Sequence, residues 1–407
     1  VALIVQKFGG TSVGSIERIK NVAQRVARAR AAGDEVVVVA SAMSGETNRL
    51  LALGAQITKH PNERELDALV ATGEQVSVAL LAIALESIGV PARSFLGHQV
   101  RLRTDSGFTK ARIKGLDADV LLGTIRDGRV PIVAGFQGVD DAGNVTTLGR
   151  GGSDTTAVAI AAALGQGVAC EIYTDVEGVY TADPNVCKNA KKVGRISYEE
   201  MLELASLGAK VLQIRSVELA MKYAVPVHVR SSFSDAPGTW VVGEEASLES
   251  VVVAGVTSDK NEAKVTIRDV PDQPGRAASL FEALADARIS VDMIIQNPSA
   301  TAGTNKGTTD MTFTVPKGDV DKAREIAKKL FESQGIDVDG DVVKVSIVGL
   351  GMRSHAGVAA KMFRILADEG INIQAISTSE IKVSCLIHSK YHELAVRALH
   401  DGFGLGD

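Results

Sequence analysis

The C-terminal part of this chain repeats itself, which narrows its possible folds more than any other feature. Lys264-Val265-Thr266-Ile267 matches Lys344-Val345-Ser346-Ile347. After a two-residue difference in length, Gly275 to Val291 aligns with Gly357 to Ile373, pairing Phe281 with Phe363, Leu284 with Leu366, Asp286 with Asp368 and Ile289 with Ile371. Each copy reads as strand, loop ending in glycine, helix, strand, strand, helix, which is most of a βαββαβ sandwich. The later elements fall on Ile289 to Gln296, Thr309 to Val315 and Val320 to Ser333 in the first copy. In the second they fall on Ile371 to Thr378, Lys382 to Ile387 and Tyr391 to His400. The second copy shows no final strand, whereas an unassigned strand, Ser250 to Thr257, precedes the first. The copies are expected to interleave, the early strand completing the late unit.

The part before the repeats has a different rhythm. From Ala2 to Arg230, short Val- and Ile-rich runs alternate with amphipathic stretches, the order of an α/β domain with a mainly parallel sheet. Strands are expected at Ala2 to Phe8, Glu35 to Ala40, Val90 to Phe95, Val130 to Ala134, Ala169 to Thr174 and Pro226 to Val229. Helices are expected near Ile16 to Ala31, Arg64 to Ile88, Thr155 to Leu164, Tyr198 to Ala205 and Val211 to Tyr223. Ser231 to Glu249, with Asp235-Ala236-Pro237-Gly238 and an acidic run, reads as a linker.

Aromatic residues make only 4% of the 407, so Ala, Val, Ile and Leu must build the cores. The charge balance, 44 − 49 = −5, offers no basic footprint for nucleic acid or an anionic membrane, and both are excluded as main partners. Cys170, Cys187 and Cys385 are odd in number and widely spaced, against a disulfide framework or structural zinc. The most apolar stretches are too short or too interrupted to span a bilayer, and the N-terminus lacks a charged n-region and cleavage site. A reducing, cytoplasmic setting is expected.

Two glycine clusters carry the candidate chemistry. The first strand runs into Lys7-Phe8-Gly9-Gly10-Thr11-Ser12 and then a helix, so backbone N–H groups and a helix N-terminus can cradle a phosphate with Lys7 at its mouth. An ordinary strand-to-helix turn would also use paired glycines. No GxxxxGK[ST] loop and no HRD or DFG set is present. Gly149-Arg150-Gly151-Gly152-Ser153-Asp154 precedes another helix, where Ser153 and Asp154 could equally be caps. Together with Thr174-Asp175 and the loop bearing Ser41 and Thr47, these clusters converge on the carboxyl ends of a parallel sheet.

KFGGTS, SAM and ETN, TTLGRGGSDTTA, YTDVEGVYTADP and GAKVL, with the tandem repeats, resemble the aspartokinase family over essentially the whole chain. The resemblance implies an amino-acid-kinase domain over 1–230, a linker over 231–249, and a strand at 250–258 completing the second of two ACT domains, 259–337 and 338–407. It implies ATP as donor, Mg²⁺ carried by the nucleotide and no protein-held metal. The implied reaction is phosphorylation of L-aspartate to 4-phospho-L-aspartate, the first step toward lysine, threonine and methionine. Carried over by position, the family's phosphate lysine is Lys7, with Gly9 and Gly10 beside it and Asp154 organising it. The aspartate contacts fall on Ser41, Thr47, Glu74, Arg150, Gly152 and Ser153, and the nucleotide contacts on Thr174, Asp175, Tyr180 and Lys210. Many relatives carry arginine where this chain has Asn185, so a phosphate contact from that position is not carried over.

The resemblance also implies feedback by lysine and threonine and homo-oligomers formed through the ACT domains; some relatives of this length add a regulatory-only chain. The expected effector contacts are Asp272, Gly275, Arg276, Ala277, Gln296 and Asn297 in the first repeat, and Asn372, Ile373 and Glu380 in the second. Met352 to Gly357 lacks the Asp-x-Pro-Gly pattern of Asp272 to Gly275, so the repeats should not bind identically. Two alternatives stand beside this reading: an N-acetylglutamate or glutamate kinase sharing the Lys-Gly-Gly cradle, and a non-catalytic amino-acid sensor. Tandem repeats and the GRGGSD set argue against the first, and Lys7, Asp154 and Asp175 against the second. His388 and His392 lack a third metal ligand and read as a solvated pair; Lys191-Lys192 and Lys328-Lys329 read as surface charge.

Overall fold

The computed structural model describes residues 2–209, 211–244, 252–298, 307–331 and 335–406. By contacts it divides into two units, Val1–Tyr180 with Lys192–Leu248, and Thr181–Lys191 with Glu249–Asp407. The first unit opens with β1 (Leu3–Phe8), α1 (Ile16–Ala31), β2 (Glu35–Ala40), α2 (Glu46–Ile57), α3 (Glu63–Val70), α4 (Thr72–Ser87) and β3 (Ala92–Phe95). Next come β4 (Arg103–Thr104), β5 (Ile113–Gly115), α5 (Asp119–Arg126), β6 (Val130–Ala134), β7 (Gln137–Val139), β8 (Val145–Thr147), α6 (Gly152–Leu164) and β9 (Ala169–Thr174). It closes with β10 (Arg195–Ser197), α7 (Tyr198–Ser206), α8 (Ile214–Tyr223), β11 (Val227–Ser231) and β12 (Thr239–Val242).

Its main sheet has the order β10-β12-β11-β9-β1-β2-β6-β3. β11, β9, β1, β2, β6 and β3 run parallel, which aligns their carboxyl ends along one edge. Val36 to Ala40 are buried on both faces, the reason β2 reads as an unbroken apolar run rather than an alternation. Helix α1 starts where the Ser15 hydroxyl accepts from the Arg18 N–H, and packs Ile19, Val22, Ala23 and Val26 inward. A second sheet, β5-β4-β7-β8, lies over residues 103–147.

Several expectations need correction. The helix expected from Arg64 to Ile88 is two helices, because the Ala71 carbonyl at the break accepts from the Gln137 side chain at 2.9 Å. The stretch read as linker contains β12, which pairs with β11 and β10; Trp240 stacks on the His228 ring at 4.0 Å between centroids. Residues Thr181–Lys191, expected within the N-terminal domain, belong to the second unit. There Ala182 and Cys187 enter a core with Val396 and Leu399, Thr181 Oγ1 meets His400 Nε2 at 2.9 Å, and Asn189 donates to Asp401. The stretch Glu63–Ser87 is apolar and long enough to cross a membrane, yet Val78, Leu81 and Leu85 pack against the sheet core.

The second unit comprises β13 (Gly255–Asp259), β14 (Glu262–Pro271), α9 (Arg276–Asp286), β15 (Ile294–Pro298), β16 (Thr308–Pro316), α10 (Val320–Leu330) and β17 (Ile336–Asp339). Then follow β18 (Val342–Val348), α11 (Val358–Asp368), β19 (Ile373–Thr378), β20 (Lys382–His388) and α12 (His392–Gly402). It forms two four-stranded sheets, β15-β16-β14-β17 and β13-β18-β20-β19. The spare strand was expected from Ser250 to Thr257; Ser250 and Val251 lie outside the described residues, and β13 overlaps only the end of that stretch, from Gly255, where it pairs with β18 of the second repeat. β15 starts later than the expected Ile289, because Arg288 takes a left-handed turn and the buried Ile289 caps α9 through the Leu284 carbonyl.

The repeats also exchange matched lysines. Lys344 of the second reaches Asp292 of the first and Glu262 Oε1 at 2.9 Å, while the equivalent Lys264 reaches Gln374, the residue equivalent to Asp292. Lys344 is 3% exposed and Glu262 is buried beside it. Removing one partner of such a pair strands a charge, whereas replacing both with apolar groups does not. Lys344→Ala should therefore lower the free energy of unfolding of this unit by about 3 kcal/mol, read from hydrogen-exchange protection of β14 and β18. Lys344→Met combined with Glu262→Leu should recover much of that loss.

Candidate functional site

The strand register places Lys7 level with Val39 of β2 and Ile172 of β9, one residue before the end of β1. Its ammonium lies 2.6 Å from Asp154 Oδ1, and both side chains are about one-tenth exposed. Asp154 comes from the first turn of α6, so the ion pair ties the second glycine cluster to the first strand. Gly9 donates its N–H to the Tyr173 carbonyl at 3.2 Å, leaving the turn stitched to β9. Gly10 has a steric reason to be glycine: a Cβ there would sit 2.9 Å from the Ala42 carbonyl of the neighbouring loop.

That neighbouring loop follows β2. Ser41 is half-buried there, and Thr47 stands in the first turn of α2. Glu74, in the first turn of α4, reaches back to the loop and accepts the Ala42 N–H at 3.0 Å through Oε1. It is 3% exposed, and its Oε2 has no hydrogen-bond partner. Burial pushes the Glu74 carboxyl up to about 7, offset only in part by the Ala42 N–H. A buried carboxylate with a free oxygen suits a cationic ligand group. Ser153 packs against Gly135 at the end of β6, where a Cβ would come 2.7 Å from its side chain. Gly152 is buried against Phe136, and Arg150 is exposed.

Thr174 ends β9 and donates its hydroxyl to Asp175 at 3.2 Å. Tyr180 is half-buried and forms a bridge to Lys192, with burial and the nearby Glu177 raising its phenol. Lys210 lies outside the described residues. Asn185 turns its side chain onto its own loop, donating to Asp183 at 3.0 Å. The structure therefore gathers Lys7 at the end of β1, the turn at Gly9 and Gly10, Ser153 and Asp154 in the first turn of α6 and Glu74 in the first turn of α4 around the carboxyl ends of β1, β2 and β6, with Thr174 and Asp175 next along the edge at β9. Two residues outside the sequence expectation, Asp67 and Arg215, support the loop ahead of Arg150; neither carries a local signal, since both act through tertiary contacts. Among the described residues, no cluster of three or more His, Cys, Asp or Glu side chains is suited to hold a metal ion.

In the second unit a cavity of about 320 Å³ is lined by Asp272, Gly275, Arg276, Ala277 and Gln296, among others. Gly275 sits at φ +94°, left-handed, immediately before α9. Gly357 repeats this at φ +96° before α11, but the preceding loop is wound into a 3₁₀ helix, Leu350–Ser354. Asn297 lies outside the cavity lining, its carbonyl accepting from Thr309. Asn372, Ile373 and Glu380 likewise lie outside it, around β19 of the other sheet.

Comparison with known proteins gives the family context. The amino acid kinase family model matches residues 2–231, and an ACT domain model matches 268–331 and 345–403. The chain is 56% identical over 409 residues to an aspartate kinase of Stutzerimonas stutzeri, covering 100% of this chain and 98% of the relative. Escherichia coli aspartokinase III, solved with aspartate and ADP in the R state, superposes with a TM-score of 0.81 at 27% identity, covering 99% of each chain. The same protein with lysine and aspartate in the T state gives a TM-score of 0.77 at 27% identity, covering 98% of this chain and 99% of that one.

Glu74 should titrate with a midpoint of about 7 in the free protein, read from the side-chain carboxyl ¹³C shift. A midpoint at the ordinary 4.5 would mean that the carboxyl is hydrated.

Proposed function

Because the chain belongs to the aspartate kinases, phosphotransferases with a carboxyl group as acceptor, we propose that its site makes 4-phospho-L-aspartate from ATP and L-aspartate as the first step toward lysine, threonine and methionine. The observation that carries the division of roles is the Lys7–Asp154 pair at 2.6 Å between two glycine loops. An aspartate side chain, with a reference pKa of about 3.9, is already ionised at pH 7 and attacks without a general base. The difficulty is one anion approaching another. Lys7 and the N–H groups of the turn after Gly9, whose own N–H is taken by the Tyr173 carbonyl, answer it by opposing the charge on the transferring phosphoryl group. Asp154 keeps Lys7 in place.

Mg²⁺, arriving with the nucleotide, would neutralise phosphate charge alongside Lys7. Thr174, Asp175 and Tyr180 hold the nucleotide side, and Lys210 completes it. Arg150 takes the substrate α-carboxylate through paired hydrogen bonds, with Ser41, Thr47, Gly152 and Ser153 lining the acceptor. Glu74 takes the α-ammonium. Its unpartnered oxygen supports a free amino group over an N-acylated substrate, whose nitrogen carries no positive charge.

In the second unit, the N–H groups of the first turn of α9 after Arg276, whose own N–H is donated to the Gln273 carbonyl, would hold an effector carboxylate and Asp272 its ammonium. Lysine and threonine are the effectors we assign, and lysine is supported by its presence in the Escherichia coli T-state structure. Effectors are expected to act together on ACT units paired between chains, in homo-oligomers or with a regulatory-only chain. A coupling of ~1 to 3 kcal/mol between productive and unproductive arrangements suffices.

ADP release should be fast with aspartate and negligible with glutamate or N-acetylglutamate; equal rates would overturn the acceptor assignment. The KM for aspartate should rise as pH falls below about 7, because protonation neutralises the Glu74 carboxylate that binds the ammonium. The rise approaches roughly tenfold per pH unit well below that midpoint, and Glu74→Gln should flatten it. Asp272→Ala should relieve inhibition by lysine, threonine or both; unchanged inhibition would exclude this cavity.

A further inference from the structure

Among the described residues, Asp67 is the one carboxylate of the first unit with no exposure at all, and it belongs to none of the groups assigned above. It projects from α3 and is fully used by two segments of the 103–147 sheet. Oδ1 accepts from Thr147 Oγ1 at 2.7 Å, and Oδ2 from the Thr147 N–H at 2.7 Å. Both oxygens share the Thr109 N–H, at 3.1 and 2.9 Å. Thr109 is held at φ +66°, a left-handed conformation that a β-branched residue seldom adopts. Such a position persists only when its surroundings over-determine it, and such positions gather at functional sites.

The strained residue has a specific neighbour. Gly149, itself at φ +76°, lies so close that a Cβ would stand 3.0 Å from the Thr109 carbonyl. Arg150 follows directly. Thr147, the other segment that Asp67 grips, ends β8 two residues before Gly149. The Arg215 guanidinium of α8 donates to the Leu148 and Ala111 carbonyls. The backbone on which Arg150 stands is thus clamped ahead of it and braced beside it.

We infer that Asp67 is a positioning residue for the acceptor substrate: by fixing Thr147 and the left-handed Thr109 it sets the Gly149 turn and so the direction in which Arg150 meets a carboxylate. The inference rests on the proposed role of Arg150, and it concerns the acceptor amino acid rather than the nucleotide. Asparagine replaces Asp67 only in part: its oxygen can accept both N–H groups from the Oδ2 position, but the Thr147 hydroxyl must reverse to accept from the amide, and the Thr109 N–H, which both carboxylate oxygens share, then faces that amide.

The test is steady-state kinetics on full-length Asp67→Asn, Thr147→Val, Arg150→Ala and the Asp67→Asn/Arg150→Ala double variant. Asp67→Asn should raise the KM for aspartate on the order of tenfold, with the ATP KM changed less than about twofold. Thr147→Val, which loses only the hydroxyl contact, should move the aspartate KM in the same direction by less. The double variant should be no worse for aspartate than Arg150→Ala alone. Thr109→Gly in the Asp67→Asn background should restore part of the loss, because glycine adopts the left-handed turn freely. A general structural role would instead raise both KM values, or add to Arg150→Ala, and would overturn the inference. A normal aspartate KM in Thr147→Val and Asp67→Asn beside a raised one in Arg150→Ala would overturn Asp67 alone; a normal one in Arg150→Ala would overturn the role of Arg150 itself.

Discussion

The contact between Lys7 and Asp154 joins the two halves of the site and sets the terms for the rest. Two opposite charges 2.6 Å apart, each about one-tenth exposed, have lost most of their hydration. Their attraction roughly offsets that loss, so the pair adds little net stability, yet breaking it by removing one partner costs about 3–5 kcal/mol. Against a typical domain stability of about 5–15 kcal/mol, that is a large penalty. The physical gain lies in placement: an ammonium is held rigidly at the carboxyl end of β1, where negative charge must be opposed. The glycine loops, the packing of Gly135 against Ser153 and the turn at Gly10 allow the backbone to come close enough around it.

Charge is managed differently at each point around this centre. Glu74 is buried with one oxygen unpartnered and its carboxyl raised to about 7, an arrangement that a cationic group completes. Asp67 is buried more deeply but saturated, and its work is mechanical. In the repeat unit, Lys344 and Lys264 occupy equivalent positions, but the equivalent partner is a carboxylate for Lys344 and an amide for Lys264, which has a carboxylate only in Asp339 at 4.0 Å. That asymmetry parallels the loops before α9 and α11, open around a cavity in one repeat and wound into a 3₁₀ helix in the other.

Much of this was legible in the sequence wherever local pattern and tertiary burial agree. β2 and β6 fall on their predicted residues because Val- and Ile-rich runs leave no other register, β9 falls on its own although it reads Ala169-Cys170-Glu171-Ile172-Tyr173-Thr174, and α1 is bounded by a serine cap. The incomplete second repeat exposed the need for a strand from before the first. What escaped was decided at long range. β4, β5, β7 and β8 are two or three residues each, too short for periodicity. Thr181–Lys191 reads as a polar loop, and only the core around Val396 and Leu399 makes its Ala182 and Cys187 apolar anchors. Asp67 looks like any acidic residue of a surface helix until Thr109 and Thr147 close over it.

The central claim is that Lys7 and Asp154 act as one device, and pre-steady-state turnover in a double-mutant cycle tests it most directly. Lys7→Ala should lower kcat by roughly two to three orders of magnitude, Asp154→Asn should lower it by a smaller factor, and the double variant should fall no further than Lys7→Ala. Losses that multiply, or near-normal turnover without Lys7, would show that the two residues act separately and would contradict the account.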